Sequence, residues 1–366
     1  MRTDVLIIGG GPAGLATAIA ARAKGLQVTV VDSRTPPINK ACGEGLLPEA
    51  VTTLRSLGID LGPPLATPFA GIRFSDGDSS ASARFGRGTA FGLRRTVLHA
   101  LLIQRANEVG VSLLWGARAS FDLAGARVNG DWVRCRWLIG ADGRRSSVRK
   151  FAGLEPRRRI RPRFGFRRHY AIAPWTDLVE VYWGDECQMV VTPTGVQEVC
   201  ISFFTSDPHL RMDRALARFP EIARHLRGAQ PASAEAGDVT SLDRARAAAR
   251  GNVALVGDAS CTVDGIAGQG MSLAFQQAVA LADALARGDL ASYQSAHRRI
   301  ARTATRITRL LLLLNASAAI RRKALRFFVA HPDAFAKMIS IHAGEIDPDA
   351  LGAAEVAHLG WRVLWA

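Results

Sequence analysis

The chain has only five cysteines in 366 residues, and no two of them stand at Cys-x-x-Cys spacing. Cys42, Cys135, Cys187, Cys200 and Cys261 form an odd set, and no histidine pair stands beside them at metal-ligand spacing. Free thiols and no structural metal are therefore expected. The first ten residues, MRTDVLIIGG, enter an apolar run by residue 4, which leaves no room for a charged and then apolar secretory leader. A cytoplasmic protein is expected. The longest apolar run near the C-terminus, LLLLLNASAAI, is bounded by Arg309 and Arg321 and is too short to span a bilayer. Internal repeats and low-complexity segments are absent.

Acidic residues are also scarce relative to basic ones. Lys and Arg number 47 against 32 Asp and Glu, a formal charge of +15. The excess gathers in RRRIRPRFGFRR (157–168), RRIARTATRITR (298–309) and RRKALR (321–326). These clusters lack the interleaved stacking aromatics of a nucleic-acid module, so nucleic acid is not expected as a partner. A solvated arginine surface is the plain reading. Steering of an anionic cofactor, or contact with a membrane surface or an acidic carrier protein, are the functional alternatives. With 48% hydrophobic residues the chain can bury a large core and suits two interleaved domains.

DVLIIGGGPAGLATAIAARAKGLQVTVVD (4–32) reads as a buried strand, a glycine turn, a helix of small residues and a second strand. Gly9, Gly11 and Gly14 occupy G-x-G-x-x-G. The first permits the tight turn, the second lets backbone approach a pyrophosphate, and the third lets helix and strand pack closely. Pro12 suits the first helical turn, where its missing N–H costs nothing, and Ala13 follows it as a further candidate cofactor-binding residue. Asp32 ends the second strand, where a carboxylate can accept hydrogen bonds from a ribose.

Two further segments specify the dinucleotide. LIGADGRRSSVRK (138–150) is a strand running into Gly-Ala-Asp-Gly, and GNVALVGDASCTVDGIAGQGMSLAFQQAVALADAL (251–285) is a strand ending in Gly257-Asp258, a glycine-rich turn and a long helix. With the pattern of Arg95, Leu98 and Leu102, they resemble the FAD-dependent oxidoreductase superfamily of aromatic-ring hydroxylases, geranylgeranyl reductases and flavin-dependent halogenases. The resemblance covers residues 4 to 285.

It implies noncovalent FAD and a role for each matching residue. Asp32 corresponds to the carboxylate on the adenosine ribose, with Ser33 next to it. Arg95 corresponds to the arginine by the phosphate and ribityl region, and Asp258 to the aspartate on the ribityl chain. The turn Gly268, Gly270 and Met271 corresponds to the segment that brings a helix N-terminus toward pyrophosphate and isoalloxazine. Asp142, Lys40, Ala41 and Cys42 complete the implied cofactor set. One departure stands out: where the family turn often begins with proline, this chain has Asp264 and Gly265, which predicts a more flexible loop.

The resemblance implies an α/β fold, α+β overall. A Rossmann-like FAD-binding domain (1–67, 92–163 and 245–297) interleaves with an antiparallel-sheet substrate domain (68–91 and 164–244), followed by a C-terminal helical region (298–366). Short strand-like runs between Phe164 and Phe204 supply the sheet, and 209–228 reads as one helix. Trp175, Tyr182, Trp183, Phe203 and Phe204 are candidate pocket residues. The C-terminal region is expected to break near Pro332 and Pro348.

KACGEGLLP (40–48) follows the second strand directly. It resembles the Cys-Gly segment of geranylgeranyl reductases and a Gly-Glu-Ser-Leu-Leu-Pro-like segment of halogenases. Gly43 and Gly45 permit close backbone approach, and Cys42 and Glu44 are the candidate catalytic residues, against the plain reading that they cap a turn. Halogenation is disfavoured, because residues 56–100 contain no lysine and no Trp-x-Trp-x-Ile-Pro element is present. The favoured expectation is an NAD(P)H-dependent monooxygenase acting on a small organic substrate, aromatic, polyketide-like or another secondary metabolite. The alternatives are a geranylgeranyl-reductase-like reduction of an isoprenoid or other alkene, which suits Cys42 and Glu44, and a non-catalytic electron-transfer or assembly flavoprotein. No second glycine fingerprint exists, so NAD(P)H is expected to bind only transiently.

Overall fold

A computed structural model of the chain describes residues 1–122, 125–156 and 162–347. Its first layer grows from the hydrophobic strands already legible in the sequence. Arg2–Ile8 lies between Asp131–Gly140 and Val28–Asp32, all parallel, with Val253–Leu255 and Ser112–Trp115 outside them. Strands buried on both faces are mostly apolar, which is why VLII is wholly apolar and VTVV has a single threonine, Thr29. Helices Pro12–Ala23, Arg95–Glu108 and Gly270–Arg287 cover one face, where Leu15, Ile19, Leu98, Leu102, Phe275 and Leu281 join Val5, Ile7 and Val30 in one core.

The second sheet is built from strands that alternate. Its order is Arg163–Ala171, Glu198–Thr205, Cys187–Gly195, Val179–Trp183, Gly71–Asp76 and Ser79–Arg84, with Ala236–Thr240 added beside the first. All neighbours are antiparallel except Val179–Trp183 and Gly71–Asp76, a parallel pair that the long intervening stretch of chain makes possible. Period-two alternation divides the faces. Ile72, Phe74, Val181 and Trp183 face Leu311, Leu314, Leu325, Phe328 and Phe335 of the C-terminal helices. Tyr182, Met189, Ile201 and Phe203 face Met212, Phe219 and Ile222 on the other side.

Several expectations need correction. The stretch 209–228 forms two short helices, Met212–Leu216 and Pro220–His225, because Pro220 lacks the N–H that would continue the first. The C-terminal region breaks first at Ser317, whose side chain accepts a hydrogen bond from the Ile320 amide and caps a new helix, Ala318–Ala330. Pro332 then opens the helix Pro332–His342. Pro348, the tail beyond it and the start of the 157–168 basic cluster lie outside the described residues. Among the described residues no helix is long and apolar enough to cross a membrane.

Candidate cofactor and substrate site

The two sheets meet around a cavity of about 1270 Å³. It exceeds the ~300–1,000 Å³ of ordinary small-molecule pockets, as a site for a dinucleotide plus a substrate must. One side is glycine-rich and polar. Its apolar lining comes from Phe69, Ile72, Phe74, Val181, Val190 and Leu311.

At the polar end, Gly9 has φ +111°, and a Cβ there would sit 2.3 Å from the Ala141 carbonyl oxygen. A Cβ on Gly14 would lie 1.9 Å from the Gly9 carbonyl oxygen, so the first helix can approach the strand only with glycine at this position. Gly11 differs. A Cβ there would meet nothing within 4 Å, because it faces the open cavity at the start of the helix. Pro12 and Ala13 line the same end, while Gly14 packs behind it. The first-turn N–H groups and the helix dipole thus point at space shaped for a phosphate.

Asp32 is buried, and its two oxygens accept from the backbone N–H groups of Gly10 and Arg34, each at 2.9 Å. Ser33 lines the cavity beside it. The Asp142 Oδ2 accepts from the Ser147 amide and hydroxyl at 2.6 and 2.8 Å, which caps the short helix Ser147–Phe151, and its Oδ1 is buried without a partner. Arg95 Nε is likewise buried without a partner. Orphaned groups of this kind in a cavity wall fit an anionic, hydroxyl-rich ligand such as FAD.

Lys40 ties two cavity carboxylates together, donating to Asp258 at 3.0 Å and lying 3.3 Å from Asp238. The Asp258 carboxylate raises its pKa above the ordinary lysine value. Asp258 stands on the turn Gly257–Ala259, held from behind: the Gly257 amide donates to Gln277 Oε1 at 2.8 Å, and Ser260 Oγ lies 2.9 Å from His297 Nε2. Gly268, Gly270 and Met271 line the cavity where the helix Gly270–Arg287 begins. Asp264, in the place of the family's proline, is buried, pairs with Arg163 at 2.9 Å and accepts from the Ile266 amide at 3.1 Å. The turn expected to be more flexible is therefore anchored by a charge pair.

Residues 40–45 and Leu47 all line the cavity. Burial pushes the Cys42 thiol above its usual pKa, an effect partly opposed by Arg95, and its sulfur accepts from the Glu44 amide at 3.4 Å. Glu44 is 2% exposed and adopts φ +62°, rare for a residue with a side chain. Its Oε1 accepts from the Arg95 amide at the start of the helix Arg95–Glu108, at 3.0 Å, and its Oε2 lies 2.5 Å from His169 Nε2. His169 Nδ1 continues to Ser233 Oγ at 2.8 Å.

Sequence reasoning missed His169, Arg94 and Glu198. Glu198 takes Arg94 in a bidentate pair that also receives Thr194 Oγ1. None of the three carries a local motif. Glu44, His169 and the buried Cys200 thiol stand within 4.8 Å of one another. Glu44 and His169, however, are in direct hydrogen-bond contact, closer than two ligands sharing a tetrahedral ion at ~2.0–2.1 Å each can sit, and Cys200 is held protonated by burial. The cluster is a hydrogen-bonded wall.

The aromatic expectations fare unevenly. Phe204 lines the cavity, but Trp183 and Phe203 are buried in the two cores. Tyr182 donates to the buried Glu180, as does Trp175, which also stacks on His225. The pocket instead takes Phe69, Phe74 and Phe166.

A menaquinone reductase of Mycobacterium tuberculosis is 28% identical over 326 residues, covering 79% of this chain and 78% of its own. A 3-(3-hydroxy-phenyl)propionate/3-hydroxycinnamic acid hydroxylase of Mycobacterium sp. (strain JLS) is 33% identical over 168 residues, 42% of this chain and 30% of its own. A solved flavoprotein/dehydrogenase of Cytophaga hutchinsonii superposes with a TM-score of 0.77 at 18% identity, covering 94% of this chain and 93% of that one. Residues 2–307 match the family described as FAD binding domain, and the chain, an FAD-dependent oxidoreductase by its fold and its cofactor cradle, belongs to that family.

Proposed function

We propose that this oxidoreductase reduces a carbon–carbon double bond in an apolar organic substrate, with NAD(P)H as the transient reductant. One observation carries the reading: Cys42, whose thiol is held protonated by burial, lines the cavity beside Arg95, in a segment packed against the second sheet that supplies the apolar lining. When bound, FAD supplies a hydride equivalent. Reduction then needs that hydride at one carbon of the double bond and a proton at the other.

Cys42 donates this proton. The guanidinium of Arg95 favours the thiolate left behind, and the thiol regains its proton from solvent water once the product has left the cavity. Glu44 acts as a positioning residue rather than the proton donor itself. Its carboxylate is engaged by Arg95 and His169, and its amide bonds the Cys42 sulfur. The apolar wall from Phe69 to Leu311 excludes water from the substrate and holds it against the dinucleotide half. The menaquinone reductase resemblance, spread over most of both chains, supports a reductive reading.

Monooxygenation, the favoured expectation from sequence, is the second reading. Its support is the resemblance of 42% of the chain to a hydroxylase and the sheltered cavity that oxygen transfer requires. Product mass separates the two. A product that gains two hydrogens, one of them deuterium in heavy water, supports reduction; a product that gains one oxygen atom from labelled O2 overturns it in favour of monooxygenation.

A further inference from the structure

Between Asp289 and Asp333 the chain contains no acidic residue, but it has nine Lys and Arg. Eight of these are exposed; the ninth, Arg321, is buried and donates to Asp76 at 2.7 Å. All lie on the helices Leu290–Ala316 and Ala318–Ala330.

Helical spacing gathers five of them into two stripes. On the longer helix the outer stripe runs Arg302, Arg306, Arg309, Leu310 and Leu313, and on the shorter one Ala319, Arg322, Arg326 and Val329, every residue exposed. Leu310, Leu313 and Val329 are 43%, 49% and 52% exposed, large aliphatic side chains left in water among arginines. The inner faces carry Leu311, Leu314, Leu325 and Phe328, which share one core over the second sheet, and Leu311 also lines the cavity. One helix therefore presents its inner side to the substrate cavity and its outer side to solvent.

We propose that this outer face docks on an anionic lipid bilayer. Arginines meet the headgroups while the exposed leucines enter the headgroup–acyl boundary, the arrangement of an interfacial helix pair. A nucleic acid or acidic protein would use the charge but gives no reason for aliphatic side chains in the same stripes. Docking in this way places the apolar wall of the cavity one helix away from the bilayer, so an apolar substrate need not cross water. The proposal does not depend on which reaction the flavin runs, and its test involves no turnover.

The test is cosedimentation of the full-length, flavin-loaded protein with phosphatidylcholine vesicles or with equimolar phosphatidylcholine and phosphatidylglycerol. Binding is expected only to the anionic vesicles at about 0.1 M salt and is expected to fall at about 1 M. The double variant Leu310→Asn/Leu313→Asn should weaken it at least about tenfold, the scale of losing one buried leucine. Arg309→Glu/Arg326→Glu should abolish it, whereas Arg214→Glu/Arg227→Glu, an equal charge change at exposed sites in the substrate domain, should leave it within about twofold. Retained flavin absorbance confirms that each variant is folded. The proposal is overturned by absence of binding to anionic vesicles, by equal loss in both charge-reversed variants, or by a leucine variant that binds like the parent, since each points to adsorption through net charge alone.

Discussion

Glu44 and His169, 125 residues apart in sequence, meet at 2.5 Å with almost no exposure on either side chain. Their contact joins the loop after Val28–Asp32 to Arg163–Ala171 of the second sheet, and Glu44 also holds the start of the Arg95 helix. Removing one partner leaves the other buried without its bond. Glu44→Gln and His169→Ala should each lower unfolding free energy by about 1–3 kcal/mol. Equilibrium urea unfolding measures this, and unchanged midpoints in both variants would refute the buried pair.

Cys42→Ala should leave FAD bound and slow substrate reduction by ~10²–10⁴-fold, the usual scale for a lost general acid. Cys42→Ser, with a hydroxyl in place of the thiol, should recover part of the rate. A rate unchanged in both variants makes residues 40–48 a structural turn and leaves the proton to another group.

Asp258→Ala should weaken FAD retention by about 1.5–3 kcal/mol if its carboxylate bonds the ribityl chain, and should free Lys40 from its 3.0 Å partner. Arg95→Ala should act in the same direction. Flavin release followed by fluorescence gives both values, and parental affinity in the Asp258 variant would remove it from the cofactor set.

Gly14→Ala should be far more damaging than its single methyl group suggests. The added Cβ would lie 1.9 Å from the Gly9 carbonyl oxygen, which is backbone and cannot rotate aside. Helix and strand would have to separate, with loss of both thermal stability and bound flavin. A folded, fully yellow Gly14→Ala variant contradicts this packing.

His297 provides a pH signature. Burial, reinforced by Arg244, lowers its pKa from 6.5 to about 4. A group depressed on folding contributes stability that is present above the unfolded value and is lost as pH falls through the folded one. Stability should therefore decline between pH 6.5 and about 4 by about 3 kcal/mol from this residue. Denaturant midpoints across that window, for the parent and His297→Gln, test it: the variant should show the shallower decline.

How much was legible in advance depended on distance along the chain. The glycine fingerprint, Asp32, the Gly257-Asp258 turn and the helix at Gly270 are each encoded within about thirty residues, because a strand, its turn and the next helix obey local sterics and periodicity. That was enough to read the FAD-binding family and to set KACGEGLLP directly after the second strand, where residues 40–45 line the cavity. The identity of the second wall was decided only by tertiary packing. Trp183 and Phe203 look like pocket aromatics in the sequence, but strand alternation and the helices on either face turn them into the cores, while Phe69 and Phe74 come to the cavity. Asp264 reads as a loosening of the family's turn until Arg163, far away in sequence, closes on it. Glu44 has no local signature for its partners: Arg95 reaches it through the pairing of Gly45–Leu46 with Ala90–Gly92, and His169 only when the second sheet is in place. Local spacing determines which backbone can cradle a nucleotide; which carboxylate is paired, and with what, depends on contacts that exist only once distant strands have been brought together.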